Sequence, residues 1–550
     1  MKNTSIVRGV SAFLSILSLS ALAAAPAVYV NEDNEHFYER PEEEMSADGC
    51  RKLVDFYADA GGVKGMLFCV NMQRALYDSD VWERFRDVEG DDRYQKGLRL
   101  LSERKVDNFA IWLDRARERG MEAWLTMRMN DSHGLKEAAN GISSRHARWP
   151  SETWRAHPEW RRAPWRLERS WEGSYNYAVP EVYEHHLALV REIFARWGDR
   201  MDGLELDWLR WGFFFKPGFE VEGRALLTKF VKEVRRLADE AGRRSGRRIR
   251  LAHRVPTNPE SAFNYGFDVA AWKKAGCVDM LTLSLFCGGN DFSLPVGVWR
   301  GIVGDDTWIN YCVSGEVSTR VGERAGCADS FGPKAFFYGG AAAALARGAN
   351  GVYLFNECYL YSNPPGKGRE LMKAYLPVVG DADALARVHR RTAVSCSPMV
   401  IPGESTRNVL PIPLRQDFVG MDMGRMEDNI TVRLDAGKVL PGTRVRLQLA
   451  FDAATDPEKL GRPEVRVNTT VVPCVGAGRI DTSRVDAKNV WQIFDDWPRG
   501  AACYLVYDVP AELLHPTFNA IELLPPRIPG SLVWASLDLS GTRTETRIGL

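Results

Sequence analysis

Asp202-Gly203-Leu204-Glu205-Leu206-Asp207-Trp208-Leu209-Arg210-Trp211 alternates apolar and acidic side chains. Side chains alternate along a β-strand, so Glu205 and Asp207 share one face while Leu204 and Leu206 share the other. A strand with apolar residues on one face and carboxylates on the other fits a closed barrel. The leucines then meet surrounding helices, and the carboxylates point inward near the strand end. Two carboxylates so close in an interior are costly without partners, and their repulsion raises at least one pKa. Such a pair is suited to acid and base roles.

Working outward, seven further short apolar runs accompany this one: Ala27–Asn31, Gly65–Val70, Glu122–Met127, Ile249–His253, Met280–Leu285, Trp308–Cys312 and Gly351–Asn356. With Gly203–Trp208 they make eight, most of them apolar as strands buried on both faces should be. Helical periodicity fills the gaps. Phe109, Trp112, Leu113 and Ala116 recur at helical spacing, with Asp107 as cap and Gly120 as stop. Pro180 suits a first helical turn, and Leu226, Leu227, Phe230, Val231, Val234 and Leu237 line another helical face. Alternating strands and helices predict a (β/α)8 barrel. A doubly wound open sheet is the rival, but no GxGxxG follows the first strand.

After about residue 400 the helical period stops. Ile430–Leu434, Val445–Leu449, Val465–Val471, Tyr504–Val509, Ala520–Leu524 and Leu532–Leu537 are short runs between Pro and Gly turns, as in an antiparallel β-sandwich. Pro398, Pro402, Pro411 and Pro413 mark the linker region. At the other end, Lys2 and Arg8 precede the apolar run Val10–Leu22, and Ala21-Leu22-Ala23 fits a cleavage site. The expected organisation is a signal peptide over 1–23, a barrel over 24–395 and a sandwich over 396–550. The mature chain is expected to be exported, periplasmic or extracellular, and free of the membrane once the signal is cleaved.

Composition narrows the function classes. Lys plus Arg is 72 and Asp plus Glu is 72, a zero net charge without the basic footprint that nucleic acid requires. The ten Cys contain no CxxC; Cys69, Cys287, Cys312 and Cys358 end apolar runs, as small buried hydrophobes do. No HExxH or paired-Cys pattern appears, so neither a metal nor another cofactor is expected. No oligomeric state is legible. The 17 Trp are an excess. Trp149, Trp154, Trp160, Trp165 and Trp171 crowd one long connection, residues 131–179, which would lie over the C-terminal mouth of a barrel.

The mouth is also where other polar residues fall. Arg128, Asn130, Asp131 and His133 follow the third strand, and His253 and Arg254 end the fifth. Asp291 follows the sixth, Tyr311 lies on the seventh, and Asn356 and Glu357 follow the eighth. Asp207, Glu357 and Glu205 are the candidate catalytic residues. Trp208 and Trp211 are candidate sugar platforms, and Arg128, Asn130, Asp131, His133, His253, Arg254, Tyr311, Asn356 and Asp291 are candidate substrate contacts. An ion pair of Asp207 with Arg128 or Arg254 is the structural alternative. Paired carboxylates with aromatic platforms point to glycoside hydrolysis, in which one carboxyl protonates the leaving oxygen and the other attacks or activates water. No GxSxG elbow or P-loop points to serine hydrolysis or phosphoryl transfer.

His157-Pro158-Glu159-Trp160, then Tyr175-Asn176-Tyr177-Ala178-Val179-Pro180-Glu181-Val182, then Asp202 to Trp208, together resemble the family 10-like glycosyl hydrolases over about residues 25–385. The resemblance implies a TIM barrel acting on a carbohydrate substrate and carries a role most directly onto Asp207. The same stretch is similar to the chitinase signature DGxDxDxE. Glu205 replaces the first Asp of that signature's inner pair and Leu209 its acid Glu, which argues against substrate-assisted chemistry. A non-catalytic glycan-binding barrel is the alternative from another class, and a lyase or esterase is a weaker one.

Overall fold

Parallel pairing closes the barrel. The computed structural model describes residues 27–90, 93–164, 167–285, 290–313, 317–320, 323–325, 334–355, 367–394, 409–415, 429–480 and 500–540. The first seven barrel strands are β1 (Val28–Glu32), β2 (Val63–Cys69), β3 (Glu122–Arg128), β4 (Gly203–Asp207), β5 (Arg250–Pro256), β6 (Met280–Ser284) and β7 (Trp308–Val313). A hairpin, β8 (Val317–Arg320) with β9 (Glu323–Ala325), intervenes before the last barrel strand, β10 (Gly351–Phe355). The order β1-β10-β7-β6-β5-β4-β3-β2 is closed and every neighbouring pair is parallel. All eight expected runs are therefore barrel strands, within a few residues at each end. Residues 1–23, expected to be a signal peptide, lie outside the described residues.

The barrel floor is filled by alternation of large and absent side chains. Tyr29, Leu67, Trp124, Ala252, Met280, Cys312 and Tyr353 form one inward-facing cluster, with Trp308 and Phe355 against it. A Cβ at Gly203 would overlap the Trp124 ring, so β4 can pair beside that indole only with glycine there. Below this layer Glu122 accepts from Tyr29 Oη at 2.7 Å and pairs with Arg250 at 2.9 Å, closing the N-terminal end with a satisfied polar group.

The helices form as their caps dictate. Asn108–Glu118 begins where Asp107 accepts from Ala110 N at 2.9 Å, and Pro180–Trp197 begins with its proline in the first turn. Glu220–Ser245 buries Leu227, Phe230, Val231 and Val234 and ends at Gly246 in the left-handed region. No helix among the described residues is long and apolar enough to cross a membrane.

The C-terminal part is a two-sheet sandwich. One sheet has the order β11 (Arg390–Ala393), β20 (Ser531–Ser540), β14 (Arg444–Asp452), β18 (Ala501–Val509), β17 (Cys474–Arg479), with β12 (Ile412–Pro413) also on β20. The other is β13 (Ile430–Leu434), β19 (Asn519–Leu524), β15 (Glu464–Val467), β16 (Thr470–Val472). Leu447, Leu449, Val465, Leu505, Ile521 and Leu537 belong to the core between them. Three particulars differ from expectation. β11 already pairs with β20 ahead of the boundary expected at 395/396. The run Val465–Val471 is two strands, because Asn468 and Thr469 adopt φ of 49° and 73° and turn the chain. β17, rich in glycine, carried no apolar signal.

The sandwich is seated on the barrel through helix Lys334–Ala346, which follows the β8–β9 hairpin. Phe336 on that helix meets Trp534 at 5.7 Å in a cluster with Phe292 and Ala393. Trp534 is buried there, with Nε1 donating to Ser536 Oγ at 3.0 Å. Arg347 Nη2 also donates to Asp435 Oδ1 at 2.9 Å across the same contact.

Candidate functional site

Strand parity sets the contents of the mouth. On β4, Glu205 and Asp207 face inward, as expected, one layer apart. Glu205 is fully buried. Its Oε1 accepts from Thr126 Oγ1 at 2.8 Å and from Tyr353 Oη at 2.7 Å, while Oε2 has no partner among the described residues. Tyr353 Oη in turn accepts from Asn31 Nδ2 at 2.6 Å. Burial first, and the charge of Asp207 second, push the Glu205 carboxyl up to about 7. Burial likewise keeps the Tyr353 phenol well above its ordinary range, so it remains a donor.

Asp207 ends the strand, and among the described residues only donors address it. Oδ1 accepts from Leu209 N at 3.0 Å, Arg210 N at 3.1 Å and Arg254 Nε at 2.9 Å, and Oδ2 accepts from Arg254 Nη2 at 3.1 Å. Arg254 also donates to Ser284 Oγ at 3.0 Å and lies over Phe355, 4.2 Å from the ring centroid.

A second ion cluster sits beside this one. Arg128, at the end of β3, bonds Asp33 through Nη2 and Asp131 Oδ2 through Nη1 at 2.7 Å. Asp131 also accepts from His133 Nδ1 at 2.8 Å and His133 N at 2.9 Å. Burial alone would raise the Asp131 carboxyl; His133 and Arg128 beside it hold it well below the usual carboxylate range instead. The His133 side chain is 26% exposed, which places it at the rim. Its ring stands 5.6 Å from Trp211, and Trp211 stands 6.4 Å from Trp171. These half-buried aromatics form a wall over the charged floor.

Several expected contacts face elsewhere. Ala252 and Arg254 point inward on β5, so His253 points outward into the helix layer. There Trp208 Nε1 donates to His253 Nδ1 at 3.0 Å, and His253 Nε2 donates to Cys277 O at 2.9 Å. Burial lowers His253 to about 4, so it is neutral and structural. Trp208 is wholly buried among Phe214, Phe230, Phe267 and Trp272, and is core rather than a sugar platform. Tyr311 also faces outward, because Asn310 and Cys312 take the interior positions. Its Oη accepts from Asp291 N at 2.6 Å and donates to Asn290 Oδ1 at 3.2 Å. Tyr311 and Asp291 therefore brace the loop after β6. Asn130 spends its side-chain amide on the backbone of Tyr175 and Phe213, fastening the long loop to the barrel.

In that loop Trp149 and Trp154 are buried, Trp160 stacks on His157 at 4.0 Å, and Trp171 reaches Trp211. Trp165 lies outside the described residues, as do Asn356 and Glu357. The mouth thus brings together Glu205, Asp207, Arg254, Arg128, Asp131, His133 and Trp211 of the expected residues. Thr126, Tyr353, Asn31, Asp33, Ser284, Arg210 and Phe355 join them. Most of these were findable by parity alone, since each lies an even number of residues from an inward neighbour on its strand or just beyond the strand's end.

No protein-family model matches the chain, and no curated protein matches it. Among solved structures it is similar to an α-galactosidase from Thermus thermophilus, at 18% identity over 64% of this chain and 61% of that one, TM-score 0.32. It is similar to a GH27 β-L-arabinopyranosidase from Geobacillus stearothermophilus, at 11% identity over 96% and 98%, TM-score 0.34. An α-L-fucosidase from Lactobacillus casei matches at 12% identity over 48% and 60%, TM-score 0.26. The chain spans less than two thirds of the length of the α-galactosidase. These three neighbours are glycoside hydrolases, and none is named as family 10-like. The barrel assignment rests on the strand pairing of this chain itself.

Proposed function

We propose that the protein is an exported glycoside hydrolase of the family 10-like kind, cleaving a poly- or oligosaccharide with a pair of carboxyl groups. One observation carries this: Glu205 and Asp207 occupy successive inward positions at the barrel mouth in opposite surroundings. Glu205 is buried with one oxygen unbonded among the described residues and is pushed up to about 7, which suits an acid. Asp207 receives four N–H donors and no acceptor among the described residues, which suits a nucleophile or base. Glu357, at the mouth of the eighth strand by sequence, is the alternative acid. Trp211 and Trp171 supply apolar faces for sugar rings.

The chemistry then divides simply. The protonated carboxyl donates to the departing glycosidic oxygen. The Asp207 carboxylate attacks the anomeric carbon or takes a proton from water. Arg254 fixes the orientation of Asp207, and its guanidinium is itself fixed by Ser284 and Phe355. The test is release of reducing sugar from a panel of polysaccharides by the purified protein. Wild-type rates in both Asp207→Asn and Glu357→Gln would sink the assignment.

One observation favours a second function. Arg254 engages both oxygens of Asp207, as a purely structural ion pair does. A non-catalytic glycan-binding barrel would keep that pair and the aromatic wall. Glycan-array binding without product on long incubation would select it.

A further inference from the structure

Arg210 carries a guanidinium whose Nε the described residues leave without a hydrogen bond. Its backbone N–H donates to Asp207 Oδ1 at 3.1 Å, so the residue is tied to the carboxylate at the centre of the mouth. Its guanidinium lies over the Phe355 ring at 4.9 Å from the centroid, and its side chain is only 15% exposed. Nε is buried with no hydrogen-bond partner among the described residues. The ion-pair contact from Nη2 to Asp33 Oδ2 is 3.9 Å, beyond hydrogen-bond reach.

The neighbouring arginines differ. Arg128 is bonded to Asp33 and Asp131, and Arg254 to Asp207 and Ser284. Arg128 is shared between Asp33 and Asp131, and Asp33 Oδ2 has no hydrogen-bond partner among the described residues, so Arg210 supplies charge to Asp33 across 3.9 Å without a hydrogen bond. Arg210 and Arg254 also lie over the same phenyl ring, which sets two cations close together.

A guanidinium stripped of most of its water without acceptors in exchange is costly, and a ligand that brings acceptors relieves the cost. A neutral hydroxyl brings one small dipole. A carboxylate or sulfate brings oxygens spaced to match the planar fork, together with a compensating charge. We infer that Arg210 anchors an anionic substituent, a carboxylate or a sulfate ester, on the sugar held against Asp207. The inference rests on the mouth being a carbohydrate site, and it narrows the substrate class to acidic glycans.

Isothermal titration of the mature full-length chain with glucuronate, glucose 6-sulfate and glucose tests it without requiring turnover. At least one anionic sugar should bind tenfold or more tightly than glucose, with the preference shrinking as salt is raised. The arm that binds distinguishes carboxylate from sulfate. Arg210→Gln should erase the preference, Arg210→Lys should keep part of it, and circular dichroism should report both variants folded. Equal affinity for all three sugars, binding of neither anionic sugar, or a preference intact in Arg210→Gln overturns the inference. The outcome separates cleanly from that of the hydrolase assignment. An Arg210-dependent preference in a chain that cleaves nothing upholds the anion site and defeats the hydrolase. Cleavage of a neutral glycan at an unchanged rate in Arg210→Gln does the reverse.

Discussion

Arg254 grips Asp207 with two parallel hydrogen bonds, Nε to Oδ1 at 2.9 Å and Nη2 to Oδ2 at 3.1 Å, and both side chains are almost wholly buried. Breaking a buried pair from one side strands the other charge and costs about 3–5 kcal/mol. Asp207→Asn and Arg254→Met should therefore each lower stability by that order in urea unfolding. The double variant should recover much of the loss. Additive losses in the double-mutant cycle would show that the two residues are not coupled.

Glu205 gives stability a pH dependence of definite sign. Its folded-state value, about 7, lies above the ordinary glutamate value of 4.5, so the folded protein binds the extra proton between those limits. Stability should fall as pH rises from about 4.5 to 7, by an amount of order 3 kcal/mol for a shift of that size. Glu205→Gln, which cannot ionise, should remove that slope. Denaturation midpoints across pH 4–9 read it directly, and a slope equal in the two proteins would place the titration on another group.

Tyr353 donates to Glu205 while accepting from Asn31. Removing its hydroxyl takes one donor from the carboxylate form, so Tyr353→Phe should move the Glu205 titration upward. It also leaves Asn31 Nδ2 without its acceptor, at a cost of about 1–3 kcal/mol. Infrared difference titration of the buried carboxyl reports the first effect, and unfolding reports the second. A downward titration shift would contradict the assigned hydrogen bonds.

Trp208 and Trp211 stand three residues apart in sequence and belong to different environments. Trp208→Ala should cost about 3–5 kcal/mol, as large core truncations do. Trp211→Ala, at the half-buried rim, should cost less and instead weaken binding of an oligosaccharide. The reverse ranking in thermal unfolding would show that their placement is wrong.

These two tryptophans also mark how far the sequence was legible. Period-2 alternation in Gly203–Asp207 and the apolar runs around it were enough to infer eight strands, because burial on both faces leaves a strong compositional signal. The same parity, applied past the carboxylates, turns Trp208 and His253 outward and brings Tyr353 and Thr126 in. Proximity to a strand end suggested the first two, and parity outranks proximity. Asn130 and Asp291 illustrate a different gap. Their side chains are spent on loop backbone, a partnership set by tertiary folding that no local pattern encodes. Arg210 followed Asp207 in plain view, but that its Nε is buried without a hydrogen bond among the described residues is set by tertiary folding. β17 in the sandwich, Cys474–Arg479, went unseen because its alternation includes two glycines.

In the proposed function Asp207 performs glycoside hydrolysis with a neighbouring carboxyl as its partner. The most direct measurement is reducing-sugar release from neutral and acidic polysaccharides by the wild-type chain and by Asp207→Asn, with folding of both confirmed by circular dichroism. Release from at least one glycan by the wild type is expected, with a drop of about a thousandfold or more in the variant, the scale on which loss of a charge-stabilising catalytic group acts. Release at equal rates by the two proteins, or none from any glycan, would contradict it.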